Sequence, residues 1–242
     1  MTEAKTRPTY RLLVLAAGLS NPSSTRMHAD ALARASVAAL EGTGGADVEV
    51  RTVELREYAH DIADAMLTRF PSERLAAVHA DLRAADAVIA ATPIFNVGPS
   101  GLFKSFLDVT DTAVWADKPV LLGATAGTAR HSLAIDYAIR PVFGYLRARV
   151  VPTAVFAASG DMGADGSGQA DATPLDQRIR RAAGELAVMV AGAAAGVPAD
   201  ADTAGDGNPT LDSGRGEGDE SRKPALDPEF ADFVPMDQLF GR

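Results

Sequence analysis

Apolar positions along this chain fall into two kinds of pattern. Short, nearly unbroken runs occur at Tyr10–Ala16, Asp86–Ala91, Pro119–Thr125 and Val150–Ala157, and Val48–Val53 alternates. Such runs read as strands. Between them, apolar residues recur at helical spacing. Met27, Ala31, Ala35, Val37 and Ala38 form one such set, closed by the Gly42–Gly45 break. Leu75, Val78, His79 and Leu82 form a second, and Leu102, Phe106, Leu107 and Val109 lie in a third, spanning Leu102–Val114. Ser132–Arg147 and Asp171–Val190 also read as helices, whereas Arg56–Phe70 is mixed, with weak helical character.

Strands alternating with helices imply βαβ units and a parallel sheet, an α/β fold in three layers. Five strands at this spacing suit a five-stranded, flavodoxin-like order of 2-1-3-4-5. Its ligand crevice opens at the carboxyl ends of strands 1 and 3. The two most elaborate loops follow those two strands. The first is Ala17–Arg26, which carries Ser20-Asn21-Pro22-Ser23-Ser24-Thr25-Arg26. The second is Thr92-Pro93-Ile94-Phe95-Asn96, after which Pro99-Ser100-Gly101 opens a helix.

After Val197 the character changes. Residues 198–229 are rich in Ala, Asp, Gly, Pro and Ser, and read as a disordered acidic linker. From Asp200 to Glu229 nine acidic and three basic residues are present, so a net −6 of the chain's −9 sits there. Phe230, Phe233, Met236, Leu239 and Phe240 then return at roughly helical spacing, which makes 230–242 a candidate docking segment, beyond a 1–197 domain. The body carries no basic stripe, so nucleic acid is not the expected partner. No run is long enough for a membrane span, the first ten residues hold no apolar signal core, and the chain has no cysteine. These features fit a cytoplasmic protein and remove thiol chemistry and disulfides.

The first loop sets hydroxyls and one guanidinium just before a helix. Unpaired N–H groups and the dipole at a helix start favour an anion, and Arg26 can add a charge-assisted bond to phosphate. Simple capping by Ser23, Ser24 or Thr25 would need only one of these residues. Neither a P-loop nor a G-x-G-x-x-G fingerprint follows the first strand. In the second loop, Pro93 stiffens the backbone beside the aromatic Phe95, which suits a flat heterocycle. A third loop, Thr125-Ala126-Gly127-Thr128 with His131 beyond it, is built of small residues that let a ligand reach the backbone. His28 and His79 read as structural or exposed, and His60-Asp61 is a metal-like pair without further ligands.

Together these segments resemble the NAD(P)H-dependent FMN reductase family, above all the reductases that supply reduced flavin to two-component monooxygenases. Ser20–Arg26 is similar to its serine-rich phosphate loop. Thr92–Asn96, continuing through Ser100-Gly101-Leu102-Phe103-Lys104 to Leu107-Asp108, is similar to its isoalloxazine loop and following helix. Thr125–Thr128, His131, Asp136-Tyr137-Ala138 and Arg140-Pro141-Val142 are similar to its third region. The likeness runs from about Tyr10 to Val190, and Phe95 stands where many relatives carry Tyr.

The resemblance implies FMN and NADPH or NADH as cofactors, with hydride transfer carried by the cofactors and no protein acid or base. Ser20, Ser23, Thr25 and Arg26 would then meet the phosphate. Thr92, Pro93, Ile94, Phe95 and Asn96 would edge the ring, while Thr125, Ala126, Gly127, Thr128 and His131 would line its polar side. No metal site is implied. A homodimer or homotetramer and a flavin-dependent monooxygenase partner are expected. Two alternatives share the same loops: a quinone or azo reductase that keeps its FMN, and a nonenzymatic flavodoxin-like electron carrier.

Overall fold

The computed structural model describes residues 7–162 and 173–194. The expected acidic linker and docking segment, 198–229 and 230–242, lie outside the described residues. Strand β1 (Thr9–Ala16) enters a parallel sheet one place in from its edge, and α1 (Ser24–Gly44) returns the chain to β2 (Asp47–Glu54) at that edge. A 3₁₀ turn (Leu55–Tyr58), α2 (Ala59–Thr68) and α3 (Glu73–Ala84) lead to β3 (Ala87–Phe95) on the other side of β1. The two-residue β4 (Gly98–Pro99) folds back on β3, and α4 (Gly101–Asp108) precedes β5 (Pro119–Ala126). A π-helical turn (Ile135–Ile139) and α5 (Arg140–Tyr145) follow, then β6 (Arg149–Val150), β7 (Val155–Ala158) and α6 (Leu175–Ala194).

The spatial order is β2-β1-β3-β5-β7, with β6 also beside β5 and β4 beside β3. This is the expected flavodoxin-like order, but the sheet has seven strands rather than five. One added strand is β4. The other arises because the expected fifth strand is broken into β6 and β7, with Pro152–Ala154 leaving the ladder between them.

The period-two alternation of the strands sorts their side chains into two cores. Leu13, Leu15, Val88, Ala90, Val120 and Leu122 face one way, onto Phe103, Phe106, Trp115 and Phe143. Trp115 meets Phe143 edge-on, with ring centroids 5.3 Å apart. Leu12, Val14, Ala16, Ile89, Ala91 and Leu121 face α1 and α6, through Leu32, Leu40, Ile179, Leu186 and Val190. Gly123 of β5 lets α1 approach: a Cβ there would stand 2.7 Å from Leu32 Cδ1.

Side chains brace the broken edge. Arg140 donates to the carbonyls of Val151 and Pro152, Arg178 to that of Phe156, and Glu185 accepts from the Thr153 amide and hydroxyl. Backbone groups that the ladder drops are thereby satisfied, as buried polar groups require. Among the described residues, no helix is long and apolar enough to cross a membrane.

Three elements differ from the sequence expectation. The expected Leu102–Val114 helix ends at Asp108, and a separate 3₁₀ turn covers Thr112–Val114. The expected Ser132–Arg147 helix is divided, because Pro141 has no N–H to bond the Tyr137 carbonyl, and the chain widens ahead of it. The Arg140 N–H reaches back five residues to the Ile135 carbonyl, the bond of a π-turn. Finally, β3 runs on through Thr92-Pro93-Ile94-Phe95, which had read as loop. Proline is tolerated there because the β1 ladder stops at Ala91, so its missing donor breaks no bond on that side.

Candidate functional site

The carboxyl ends of β1, β3 and β5 lie side by side, and the three loops meet there. The first loop turns at Gly18, where a Cβ would stand 1.9 Å from the Ser23 hydroxyl oxygen. Glycine at 18 is what lets the loop close over the start of α1. Ser23 caps that helix, its hydroxyl accepting from the Arg26 N–H at 3.2 Å. The N–H groups of Ser24 and Thr25 find no acceptor among the described residues. A 21-residue helix therefore opens onto the loop with free donors and the positive end of its dipole. Thr25 is buried, and its hydroxyl lies 2.7 Å from that of Thr125 at the end of β5. One hydroxyl donates to the other, so first and third loops are tied together. Ser20 is exposed, and its carbonyl accepts from Arg56 at 3.3 Å.

Arg26 is held between two carboxylates. Its Nε donates to Asp30 at 2.9 Å and its Nη1 to Glu54 at 2.8 Å. Glu54, the last residue of β2, also accepts from Arg56 Nε at 2.9 Å through its other oxygen. The hydrogen bond to Asp30 and the fields of Asp30 and Glu54 raise the guanidinium above its ordinary value, against partial burial. This network is a feature that the sequence reading did not pick out. Its signal was available: in the 2-1-3 order, the last residue of strand 2 sits beside the first loop.

After Ala91 the second segment rises as a hairpin, with Ile94 paired to Pro99 and Phe95 to Gly98. The two residues at its tip have positive φ, 49° at Asn96 and 67° at Val97. Two such residues in a two-residue loop make a type I′ turn, which matches the twist of the strands. Asn accepts this conformation readily; a β-branched Val does not. Thr92, Pro93 and Ile94 are buried, whereas Phe95, Asn96 and Val97 are exposed. The Thr92 hydroxyl accepts from the Ser100 N–H at 3.1 Å, and Ser100 in turn caps α4. Thr92 thus braces the base of the hairpin, and Phe95 is the aromatic presented at its top.

In the third loop Thr125 is buried, Ala126 is half-buried, and Gly127 and Thr128 are exposed. His131 is half-buried in the 3₁₀ turn Ala129–His131. A cavity of about 330 Å³ beside it is lined in part by Ser132, Asp136, Arg140, Thr153 and Arg178. Both of its arginines already serve the broken β6–β7 edge. His28, expected to be structural or exposed, is buried, with Nε2 3.0 Å from the Val155 carbonyl. Asp61 of the metal-like pair accepts from Ser72 at 2.6 Å and from Arg74 at 3.3 Å. Among the described residues, no cluster of three metal-ligating side chains forms.

The sequence profile of the NADPH-dependent FMN reductase family matches residues 10–163. The chain belongs to this family. It is an oxidoreductase that works with FMN and NADPH or NADH. The chain is 30% identical to an FMN reductase (NADPH) of Pseudomonas aeruginosa, over 76% of this chain and 94% of that protein. It is 34% identical to the NADH-dependent FMN reductase SfnE of Pseudomonas putida, over 75% of this chain and 92% of the relative. An oxidoreductase structure from Corynebacterium diphtheriae superposes with a TM-score of 0.70 at 44% identity, covering 76% of this chain and 97% of that one.

The crevice of this FMN reductase family member has the chemistry that a flavin phosphate needs. Gly18 lets the loop pass directly against Ser23, and two first-turn N–H groups of α1 find no acceptor among the described residues. Ser23 keeps its own hydroxyl proton to donate while accepting from Arg26. Of Thr25 and Thr125, one proton remains after their mutual bond. Phe95 is exposed at the top of the hairpin, and Gly127 and Thr128 are exposed in the third loop.

Proposed function

We propose that this reductase delivers reduced FMN to a separate flavin-dependent monooxygenase, as an exchanging substrate. The observation that carries the site assignment is the Thr25–Thr125 hydroxyl pair. It joins the phosphate loop to the third loop, at the sheet edge from which the Phe95 hairpin also rises. In this reading Ser20, Ser23, Thr25 and Arg26, with the α1 N–H groups, bind the phosphate. Pro93, Ile94, Phe95 and Asn96 edge the ring on a base set by Thr92. Thr125, Ala126, Gly127 and Thr128, with His131 behind them, meet its polar side. When bound, FMN would supply the hydride-accepting chemistry toward NADPH or NADH. The protein's part is to stack, orient and exclude water; no side chain has to move a proton in that step.

The partner reading draws support from relatives named NADH-dependent FMN reductase SfnE and SfnF and from the apolar residues Phe230 to Phe240 beyond the acidic spacer. A homodimer or homotetramer belongs to the same reading, as does the division into a 1–197 catalytic domain, a spacer and a docking segment. The test is steady-state oxidation of NADPH and NADH with and without added FMN. Saturable dependence on FMN, and ready loss of flavin on gel filtration, are expected. Flavin that stays bound through filtration and passes electrons to quinones would overturn the exchange reading. Deleting residues 230–242 is expected to leave FMN reduction unchanged and to lower product formation in a coupled monooxygenase assay.

A further inference from the structure

The pairing of Arg26 creates a competition at the phosphate loop. Arginine grips phosphate best through two parallel N–H donors along one edge. It has two such edges, one containing Nε and one containing Nη1. Here Nε is bonded to Asp30 at 2.9 Å and Nη1 to Glu54 at 2.8 Å. Each edge therefore shares a nitrogen with a carboxylate, which competes with a two-donor grip on phosphate along that edge.

The two carboxylates are not equally able to yield. Asp30 sits one turn along the same helix, and Arg26 is the cation it pairs with. Glu54 comes from β2 and has a second cation, Arg56, bonded to its other oxygen at 2.9 Å. When Arg26 turns away, Glu54 keeps Arg56, and the half-buried carboxylate is not left unpaired. Arg56 meanwhile holds the Ser20 carbonyl, so the loop stays anchored to the end of β2. The group that yields at low cost is Glu54.

We propose that Glu54 is an internal competitor of the flavin phosphate for Arg26, and that it sets how readily FMN leaves the enzyme. Glu54 acts through Arg26 and touches no reacting atom; it is a positioning and specificity residue. Its presence lowers the phosphate's share of the binding energy and so suits a flavin that must be handed on. This rests on the assignment of Arg26 to the phosphate.

The experiment measures dissociation constants and release rates of FMN and of riboflavin, which lacks the phosphate, by flavin fluorescence. Wild type, E54Q, R26A and the double variant are compared, each checked for a native far-UV spectrum. E54Q is expected to bind FMN about fivefold more tightly and release it more slowly, the scale of one part-exposed ion pair. Riboflavin binding should not change, and the gain should vanish in the R26A background. Unchanged or weaker FMN binding in E54Q overturns the proposal, as does equal tightening toward riboflavin, which would mark a general effect on the loop. Should E54Q be unfolded, E54D replaces it: its shortened carboxylate loosens the hold on Arg26 and is expected to tighten FMN in the same direction. If R26A leaves the preference for FMN over riboflavin unchanged, the phosphate assignment itself fails, a result distinct from an inert E54Q beside a weakened R26A.

Discussion

Val97 shows how a single residue can carry a cost that the rest of the crevice tolerates. Its φ of 67° belongs to the left-handed region, which a β-branched side chain enters only with strain. The hairpin imposes it, because a two-residue turn between β3 and β4 needs positive φ at both central positions. Val97 is 63% exposed, so little burial offsets the strain. Replacing it with glycine should therefore stabilise the protein by about 1 kcal/mol, read as a higher urea midpoint. If V97G is less stable, the Val side chain packs on something that offsets its backbone. The same variant reports on function, since strained residues gather at ligand sites. An unstrained but more pliable tip should raise KM for FMN while leaving kcat unchanged.

At the scale of elements, the site depends on how firmly α1 is seated against β5. Gly123 allows the approach, and the Thr25–Thr125 bond fastens it across 100 residues of sequence. Both hydroxyls are buried, so removing one leaves its partner without a bond, at about 1–3 kcal/mol. Removing both is much milder, because no orphan remains. T25V and T125V should each lower the urea midpoint, and the double variant should lose less than the sum. A double variant that is simply additive would show that the hydroxyls do not bond in solution.

Much of this arrangement was legible beforehand. The runs at Tyr10–Ala16 and Pro119–Thr125 mark the strands, and Ser20–Arg26 marks the loop that leads into α1. The Thr25–Thr125 contact was not legible, because periodicity says nothing about which side chains meet across a sheet. The hairpin was missed for a local reason: Asn96-Val97 lacks the glycine that usually marks a type I′ turn. The break before α5 could have been anticipated from Pro141, whose missing donor interrupts any helix laid through it. The pairing of Arg26 with Glu54 needed both the strand order and the position of β2's last residue.

For the whole molecule, an imidazole packs on each face of the sheet, His28 buried and His79 half-buried, and this sets the response to acid. His28, at the start of α1, lies in the core shared with α6. Burial, and then the charge of Arg178, lower its pKa, while the Val155 carbonyl and Asp161 pull the other way and do not prevail. His79 on α3 stacks against Phe106 at 5.8 Å, and burial, then Arg83, lower it too. In the unfolded chain both would take up protons near their ordinary value of 6.5. The unfolded state thus binds more protons than the native one below that pH, and stability must fall as pH falls through that range. Glu185 adds a later stage. Burial pushes its carboxyl up, but the bonds from Thr153 and the pairing with Arg181 hold it below the ordinary value of 4.5, so its contribution is lost as pH falls further. The overall charge of −9 works in the opposite sense, since protonation relieves its self-repulsion. His28 is buried and His79 half-buried, whereas a net −6 of the −9 falls in sequence between Asp200 and Glu229, far along the chain from both, so the local effect should dominate. The urea midpoint is expected to be flat from pH 8 to about 7 and to decline from about 6.5 downward. H28Q should remove part of that slope at any absolute stability. A wild-type midpoint that rises on acidification would mean that net charge, and not the buried imidazoles, governs the acid response of this fold.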